Sequence, residues 1–284
     1  MFGSSLMTTN ANPVPEIGLN DGARIPQLGF GVWQIARDSA AAVVGEALRI
    51  GYRHSDTAPI YRNEPGVGEA LRSSGLPRGQ VYVTSKCPND AHGHESAIRA
   101  LEQSLERLGL DHVDLYLIHW PQPTLGRYVE TWEGLIELRE RGLTRSIGVS
   151  NFHAPHLERL ISATSVVPSV NQIELHPLLT QRPLVAASRA LGVQVEGWSP
   201  LAHGQILDRA ELEQIAEAHG TSVAQVVIRW HLQLGYIVIP KSVTPARIAS
   251  NFDVFDFELS DDELAAVSAL GSESRTGPNP DQFG

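Results

Sequence analysis

Short apolar segments alternate with longer segments of helical periodicity through most of the chain. Each short segment has the length and composition of a buried strand, and each is followed by a segment that fits a helix. The pattern predicts eight strands, at Leu28–Trp33, Tyr52–Asp56, Val81–Lys86, Val113–His119, Ser146–Val149, Val170–Leu175, Val193–Trp198 and Tyr236–Ile239.

The longer segments place their apolar residues on one helical face. Such residues recur every three or four positions in Ala97–Leu108 and again in Val223–Leu234, as expected of amphipathic helices. Asn63, ahead of a Glu-Pro pair, predicts a helix start, and Gly220 predicts a helix end. Capping boxes are predicted for three pairs, which are Asp208 with Glu211, Ser222 with Gln225, and Ser260 with Glu263.

Strict alternation of strands and helices predicts parallel strands joined by right-handed crossovers. Eight such units close into an α/β fold, the (β/α)8 TIM barrel, whereas fewer strands in an open sheet would give a doubly wound fold. No linker divides the chain, so we expect a single barrel domain over residues 14–284, with a short N-terminal hairpin and extra helices. Residues 1–13 carry no charge and only a broken apolar pattern, which predicts a flexible leader rather than a signal peptide.

The composition is that of a globular protein, and it narrows the choice of partner. Of 284 residues, 42% are hydrophobic and 19% are charged, a balance typical of folded chains. Lys and Arg total 22 against 32 Asp and Glu, and the net charge of −10 disfavours a nucleic-acid-binding protein. No uncharged apolar run reaches the ~18 residues needed to span a membrane. We therefore expect a cytoplasmic protein whose partner is a small molecule, and we expect a monomer.

Two features could suggest redox or metal chemistry. Cys87 is the single cysteine, which excludes a disulfide framework and a cysteine-built zinc site. Its position beside Lys86 leaves open a lowered thiol pKa, although a reduced spare thiol fits better. His92 and His94 lie in a loop without a convincing third ligand, so we expect both to be surface residues and expect no metal site.

Four polar side chains follow three neighbouring predicted strands. Asp56 ends the second strand and Tyr61 lies in the loop after it, while Lys86 ends the third strand and His119 ends the fourth. In a barrel, the carboxyl ends of the strands meet at one mouth, so these side chains would converge there. Each residue taken singly fits an ordinary structural role, such as a turn cap or a packed ring. Lys86 fits least well, because a lone buried ammonium group is costly unless a partner such as Asp56 neutralises it.

Together the four side chains form a coherent chemical set. A tyrosine, with a pKa near ~10, is a poor acid at neutral pH unless a nearby cation stabilises its phenolate. Lys86 can supply that cation, and Asp56 can keep it charged and oriented. His119 can hydrogen-bond to a substrate carbonyl oxygen. The set therefore predicts that Tyr61 is a general acid that protonates a developing alkoxide.

Six motifs identify the chain as similar to a known family. They are GYRHSDTAPIYRNE at 51–64, TSK at 84–86, LIHWP at 117–121, GVSNF at 148–152, NQIELHP at 171–177 and IPKSVTPARIASN at 239–251. In this order and spacing they resemble the aldo-keto reductases, and the resemblance runs from Ile17 to Gly277. Within that family the chain looks most similar to bacterial 2,5-diketo-D-gluconate reductases, and its short C-terminal tail fits that placement.

The resemblance implies a (β/α)8 barrel that reduces aldehyde and ketone carbonyls with NADPH. The implied catalytic tetrad is Asp56, Tyr61, Lys86 and His119. Candidate substrates are 2,5-diketo-D-gluconate and dicarbonyls such as methylglyoxal. Trp33 and Trp120 would wall the substrate pocket together with Tyr61 and His119.

The sequence contains no Rossmann motif that would bind a dinucleotide cofactor. The nearest glycine-rich stretch, Gly66-Val-Gly68, lacks the third glycine and lies within a helical pattern. The segment 236–251 contains Lys241 and Arg247 but no acid, which suits a phosphate monoester such as the 2′-phosphate of NADP. A solvated loop with two ordinary surface charges is the alternative reading of that segment.

The resemblance also implies which residues contact NADPH or NADP⁺. Ser150, Asn151 and Gln172 would hold the nicotinamide carboxamide, and Trp198 would stack on the ring. Ser250 stands where many relatives have a glutamate, so Asn251 becomes the expected adenine contact. The remaining expected contacts are Ser199, Leu201 and Leu207 along the pyrophosphate, and Lys241, Ser242, Val243, Thr244 and Arg247 around the 2′-phosphate.

Two other function classes remain open at this point. A barrel aldolase would use Lys86 as a Schiff-base amine, in place of reductive chemistry. A non-enzymatic NADP(H)-binding sensor could use the same barrel without turnover, although the intact tetrad argues against it.

Overall fold

The computed structural model describes residues 14–283, and the predicted leader at 1–13 lies outside the described residues. The chain begins with an antiparallel hairpin of β1 (Glu16–Gly18) and β2 (Arg24–Pro26). Ile25 of this hairpin is fully buried in one cluster with Leu115 and Ile237 of the barrel strands. The predicted N-terminal hairpin is therefore present, and apolar burial holds it against the barrel.

Eight parallel strands form the barrel, and each pairs with the next one in chain order. A parallel bridge between Leu28 and Val238 joins the first and last strands, and the Gly29 amide donates to the Val238 carbonyl at 2.9 Å. This closure confirms the predicted barrel over an open doubly wound sheet. The strands are β3 (Phe30–Gly31), β4 (His54–Asp56), β5 (Tyr82–Cys87), β6 (Val113–Ile118), β7 (Thr144–Ser150), β8 (Val170–Glu174), β9 (Gln194–Trp198) and β10 (Ile237–Val238).

The closing strands β3 and β10 are shorter than the apolar segments that predicted them. The flanking residues Leu28, Val32, Tyr236 and Ile239 are buried in the core but lie outside the continuous ladders of β3 and β10, and Leu28 pairs only through the isolated bridge. An apolar run reports burial, whereas strand length depends on which backbone groups find a partner. Long apolar runs therefore predicted the positions of the strands better than their ends.

Ten α-helices cover the outside of the sheet within the described residues. Trp132 and Leu101 are fully buried between helices and strands, in the largest apolar cluster of the protein. The helices are α1 (Arg37–Ile50), α2 (Glu64–Ser73), α3 (His94–Leu108), α4 (Tyr128–Glu140), α5 (Ala154–Thr164), α6 (Arg182–Ala190), α7 (Ala210–His219), α8 (Val223–Gln233), α9 (Pro245–Phe252) and α10 (Asp261–Ser268). No helix in residues 14–283 is both long enough and apolar enough to cross a membrane.

Two of the three predicted capping boxes are present. The Ser222 and Ser260 hydroxyls each accept from the backbone N–H of the third helical residue, and the serine backbone N–H groups donate in return to the side-chain oxygens of Gln225 and Glu263. The box predicted at Asp208 is wrong, because α7 begins two residues later with Arg209 at the N-cap and Asp208 lies in a turn.

Two further helix-boundary predictions have different outcomes. Gly220 ends α7 with a φ of 62°, a left-handed conformation that favours glycine. Asn63 precedes α2 as predicted but does not cap it. Its amide instead donates to the carbonyls of Val32 and Ile35 at 2.9 and 3.2 Å, which ties α2 to the loop after β3.

Gly68 lies on α2, away from any phosphate-binding turn. A Cβ atom at this position would overlap the backbone carbonyl of Leu108 on α3. Close packing of two helices therefore explains this glycine.

Candidate active site

The structure brings the four predicted polar side chains together at the carboxyl ends of adjacent strands. Asp56 ends β4, and a single 3₁₀ turn at Pro59–Tyr61 carries Tyr61 back over the barrel mouth. Lys86 lies near the end of β5, and His119 directly follows β6. The barrel register thus places side chains that are far apart in sequence around one cavity.

Lys86 and Asp56 form a buried ion pair beneath that cavity. The Lys86 side chain is 0% exposed, and its Nζ atom lies 2.6 Å from Asp56 Oδ1. The ammonium group also donates to the Thr57 carbonyl at 3.1 Å. Burial opposes the charge on Lys86, but the attraction and hydrogen bond of Asp56 together with the charges of Tyr61 and Glu196 outweigh it, so the pKa of Lys86 lies above the usual value. Lys86 is therefore an ammonium ion at neutral pH.

Tyr61 lies directly against this cation. Lys86 Nζ is 5.3 Å from the centre of the Tyr61 ring. Burial and the charge of Asp56 raise the pKa of the Tyr61 hydroxyl above its usual value, while Lys86 acts in the opposite direction. The tyrosine therefore keeps its proton at neutral pH, and a fixed cation stands ready to stabilise the phenolate left by a proton transfer.

His119 faces Tyr61 across the cavity, with 5.9 Å between the two ring centres. Burial and the nearby Lys86 charge hold the pKa of His119 well below its usual value. The imidazole is therefore neutral at pH 7, so it can donate one hydrogen bond but cannot act as a cationic acid. Both side chains are therefore uncharged at pH 7, and the Tyr61 hydroxyl lies closer to the Lys86 cation that can stabilise its conjugate base.

The cavity above these groups has a volume of about 400 Å³. Many of the predicted site residues line this cavity, and apolar side chains form part of its wall. Of the predicted residues, its lining includes Trp33, Asp56, Tyr61, His119, Trp120, Ser150, Asn151, Gln172, Trp198, Ser199 and Lys241.

The Gln172 amide has a fixed orientation at the base of the cavity. Its nitrogen donates to Asp56 Oδ2 at 2.8 Å and to Glu196 Oε2 at 3.2 Å. The reversed amide would point its oxygen at two carboxyl groups, so the observed orientation is the only one that satisfies both acceptors. The oxygen is therefore the part of the Gln172 amide left to bind a ligand.

Asn151 and Trp198 are locked to each other. Asn151 has a φ of 64°, and its Oδ1 accepts from Trp198 Nε1 at 2.9 Å. Its nitrogen donates to the His119 carbonyl and to Ser150 Oγ, both at 3.0 Å. Most of the hydrogen-bonding capacity of Asn151 is thus used within the protein, where it positions the Trp198 ring at the cavity wall.

The predicted phosphate segment is accessible at its charged positions. Lys241, Val243, Thr244 and Arg247 are exposed, and α9 begins directly after Thr244. Ser242 is buried, and its Oγ accepts from the Thr244 amide at 3.1 Å.

The other expected cofactor contacts differ in accessibility. Asn251 is 5% exposed, so little of it is available to a ligand in this conformation. Leu207 is exposed and Leu201 is half-buried, and neither of them lines the cavity.

The C-terminal segment supplies site residues that sequence reasoning missed. Thr276 and Gly277 line the cavity, and Glu174 accepts from the Thr276 hydroxyl at 2.6 Å and from the Gly277 amide at 3.2 Å. A Cβ on Gly277 would lie 2.5 Å from the Trp198 ring, so glycine allows the segment to pack on that ring. Farther along, the Phe283 and Trp120 ring centres are 4.5 Å apart. The Gly-Pro pair at 277–278 was the available sequence signal of a tight approach.

One side chain differs from its predicted environment. His92 is buried, not a surface residue, and burial lowers its pKa to about 4. His94 is partly exposed beside Glu137 at 3.3 Å. Cys87 is enclosed, and burial raises its thiol pKa to about 12, which rules out a reactive thiolate. Within residues 14–283, no cluster of three potential metal ligands occurs.

The family model for the aldo/keto reductase family matches residues 27–272. The chain belongs to the aldo/keto reductase family. An aldo-keto reductase of Mycobacterium sp. (strain KMS) is 52% identical over 269 residues, with 95% of this chain and 98% of the relative covered. Methylglyoxal reductase DkgA of Escherichia coli (strain K12) is 50% identical over 276 residues, with 96% and 99% covered.

Solved structures agree with this family assignment. A crystal structure of a Gox0644 mutant in complex with NADPH superposes on this aldo/keto reductase with a TM-score of 0.92. The two chains are 46% identical, and the match covers 95% of this chain and 98% of that one.

Proposed function

We propose that this aldo/keto reductase reduces the carbonyl group of small aldehydes and ketones with NADPH, using Asp56, Tyr61, Lys86 and His119. One observation carries the proposal. The buried ion pair of Lys86 and Asp56, with 2.6 Å between its atoms, lies behind a protonated tyrosine that faces an open cavity. This is the arrangement that a general acid needs when negative charge develops on a carbonyl oxygen.

Each of the four side chains has a distinct role in the proposed reaction. The neutral His119 donates a hydrogen bond that orients the carbonyl oxygen toward the Tyr61 hydroxyl. Reduced nicotinamide, when bound, supplies the hydride that the carbonyl carbon accepts. Tyr61 then transfers its proton to the oxygen, and Lys86 stabilises the resulting phenolate. Asp56 keeps Lys86 charged and in place.

The residues present fit a nicotinamide dinucleotide phosphate. The Gln172 oxygen can accept from the carboxamide nitrogen, and the fixed Trp198 ring offers a flat face for stacking. Ser150 lies beside both residues in the cavity lining. The exposed cations Lys241 and Arg247 flank the start of α9, where a phosphate would find both charge and backbone donors.

The structure also bears on the two alternative functions. A Schiff-base aldolase needs a neutral, accessible amine, whereas the Lys86 amine is charged and enclosed. A non-enzymatic sensor has no need for a proton donor aligned with a cavity. All four proposed catalytic groups come from one chain, so the proposed reaction needs no residue of a second subunit. We extend the proposal to a monomeric, cytoplasmic enzyme.

The substrate end of the cavity favours small uncharged carbonyl compounds. Trp33, Ile60, Trp120 and Pro278 form apolar walls around Tyr61, and Trp33 and Ile60 are 43% and 65% exposed. Lys241 is the only lysine or arginine among the described residues of the lining, and it is assigned to the cofactor. A substrate carboxylate would therefore lack a partner, which favours methylglyoxal over 2,5-diketo-D-gluconate.

A substrate panel tests this proposal directly. NADPH oxidation is followed with methylglyoxal, a simple aldehyde and 2,5-diketo-D-gluconate, and kcat/KM is compared. We expect methylglyoxal to give the highest value of the three. Preference for the sugar acid would contradict the substrate assignment, and absence of turnover with all three compounds would contradict the enzymatic function.

Replacement of Lys241 by alanine tests the phosphate site. One charge-assisted hydrogen bond contributes about 1.5–3 kcal/mol, so the Kd for NADPH should rise by roughly 10- to 100-fold. The Kd for NADH should change much less, because NADH has no 2′-phosphate. Fluorescence titration of both cofactors measures the difference.

Arg209→Ala provides the matched control for Lys241→Ala. Arg209 is an exposed cation at the start of α7, outside the cavity lining. This variant should leave both dissociation constants unchanged. Equal losses of NADPH and NADH affinity in Lys241→Ala would place the 2′-phosphate elsewhere.

A further inference from the structure

Glu196 is a fully buried acid that the proposed mechanism does not use. It lies on β9 inside the barrel, in register with Gln172 on β8 and Ile237 on β10. Glu196 Oε2 accepts at 3.2 Å from the same Gln172 nitrogen that donates to Asp56 at 2.8 Å. One amide group thus bridges a catalytic carboxylate and a second carboxyl group below it.

The charges around Glu196 do not balance if both carboxyl groups are ionised. Lys86 is the one cation of the cluster, and it is committed to Asp56 at 2.6 Å. His54, whose Nε2 is 3.9 Å from Glu196 Oε1, is neutral because burial lowers its pKa to about 4. The titratable side chains that face Glu196 are His54, Asp56, Tyr61, Tyr82 and Lys86.

A second ionised carboxyl group in this enclosed space would lack a counter-ion, which is strongly unfavourable. Burial and repulsion from Asp56 accordingly raise the pKa of Glu196 to about 8. Glu196 is therefore the member of the cluster that keeps its proton at neutral pH.

We propose that Glu196 is a positioning residue for carbonyl reduction, which as a neutral acid orients the Gln172 amide and keeps the charge behind Tyr61 balanced. This inference rests on the reductase function proposed above. Its first consequence is structural. With Asp56 and Glu196 both accepting from the Gln172 nitrogen, the amide oxygen is fixed toward the cavity, where the nicotinamide carboxamide is expected.

The second consequence concerns proton transfer. When Glu196 loses its proton, its negative charge adds to that of Asp56 and raises the pKa of both Tyr61 and Lys86. A tyrosine with a higher pKa is a weaker acid, so it gives its proton to the carbonyl oxygen more slowly. Ionisation of Glu196 should therefore set the alkaline limit of reduction, below the range in which Tyr61 itself titrates.

The Glu196→Gln variant tests this limit, because it keeps the shape and an acceptor oxygen but cannot ionise. For wild type, kcat/KM for methylglyoxal at saturating NADPH should fall up to about tenfold between about pH 7 and about pH 9, as an acid with a pKa near 8 ionises. The Gln variant should change less than about twofold, since the pKa of Tyr61 is raised from 10.0. The same alkaline limb in both proteins would overturn the proposal.

The Glu196→Leu variant tests whether residue 196 orients the Gln172 amide or only fills the space inside the barrel. Leucine cannot accept from Gln172, so we expect the Kd for NADPH to rise severalfold in the Leu variant relative to the Gln variant. A purely structural role would lower the Tm of both variants without separating their cofactor affinities. Equal NADPH affinities in the two variants would contradict the orienting role.

A measurement on the free protein keeps the inference independent of the proposed activity. A folded pKa raised from 4.5 to about 8 means that folded wild type retains a proton which the unfolded chain releases. Wild type should thus lose stability relative to Glu196→Gln as pH rises through this window. A Tm difference between wild type and Glu196→Gln that stays constant with pH would show that Glu196 is ionised in the folded protein, and it would contradict the proposal. If no substrate is turned over, the proposed function is contradicted. The pH dependence of the Tm difference still tests the protonation of Glu196, because it requires no activity.

Discussion

Tyr61→Phe should lower kcat/KM for carbonyl reduction by about 10²- to 10⁴-fold, the usual contribution of a general acid. The substitution removes the hydroxyl that faces the cavity and leaves the ring beside Lys86 and His119. His119 cannot replace the lost acid, because its pKa lies well below neutrality. Steady-state oxidation of NADPH with methylglyoxal measures the loss.

The structure offers a matched control for this substitution. Tyr236→Phe removes a tyrosine hydroxyl of the α8–β10 region, outside the cavity lining. We expect it to retain wild-type turnover, and we expect Tyr61→Phe to bind NADPH with little change by fluorescence titration. Near-normal turnover in Tyr61→Phe would remove Tyr61 from its proposed role, whereas loss of NADPH binding would point to a disturbed site.

Lys86→Met should abolish turnover and lower the free energy of unfolding by about 3–5 kcal/mol, the cost of leaving one partner of a buried ion pair uncompensated. The methionine fits the space of the lysine stem, but Asp56 then remains enclosed next to Glu196 with no cation. Asp56 would then remain as an enclosed charge without a counter-ion, while Glu196 keeps its proton. Urea denaturation monitored by circular dichroism measures the loss of stability.

Two further variants show whether the loss comes from the unpaired charge. In Lys86→Met/Asp56→Asn the remaining charge is removed, so part of the lost stability should return while turnover stays absent. In Arg24→Met an exposed ion pair with Glu16 is broken, at a cost of about 0–1 kcal/mol. Equal destabilisation by Arg24→Met and Lys86→Met would contradict the buried-charge explanation.

These predictions address one connected set of groups. Lys86, Asp56, Gln172 and Glu196 are linked by hydrogen bonds of 2.6, 2.8 and 3.2 Å. The set joins the proton donor at the mouth to a protonated acid inside the barrel. Changes to neighbouring members should therefore be non-additive, as expected for residues that share one network.

Local patterns in the sequence determined much of this protein. The alternation of apolar runs predicted all eight barrel strands, because burial of each strand requires a contiguous apolar segment. Polar residues directly after those runs predicted the convergence of Asp56, Tyr61, Lys86 and His119, because parallel strands end at a common edge. Ser222 and Ser260 predicted their helix starts, because a capping box is completed within four residues.

Only the tertiary structure decided which groups are enclosed and how charge is shared among them. His92 lies in a segment that the sequence predicts to be a surface loop, yet its side chain is buried. Cys87 directly follows Lys86 in sequence, yet burial raises its thiol pKa. Gly277 meets Trp198 across a long stretch of chain, so local sequence could not place it in the cavity. In the sequence, Glu196 is a single acidic residue within the predicted strand Val193–Trp198, and nothing in that strand indicates its protonation state. Its protonation follows from burial inside the barrel and from repulsion by Asp56 on another strand, because electrostatic energies in a buried site depend on distances that the barrel alone sets.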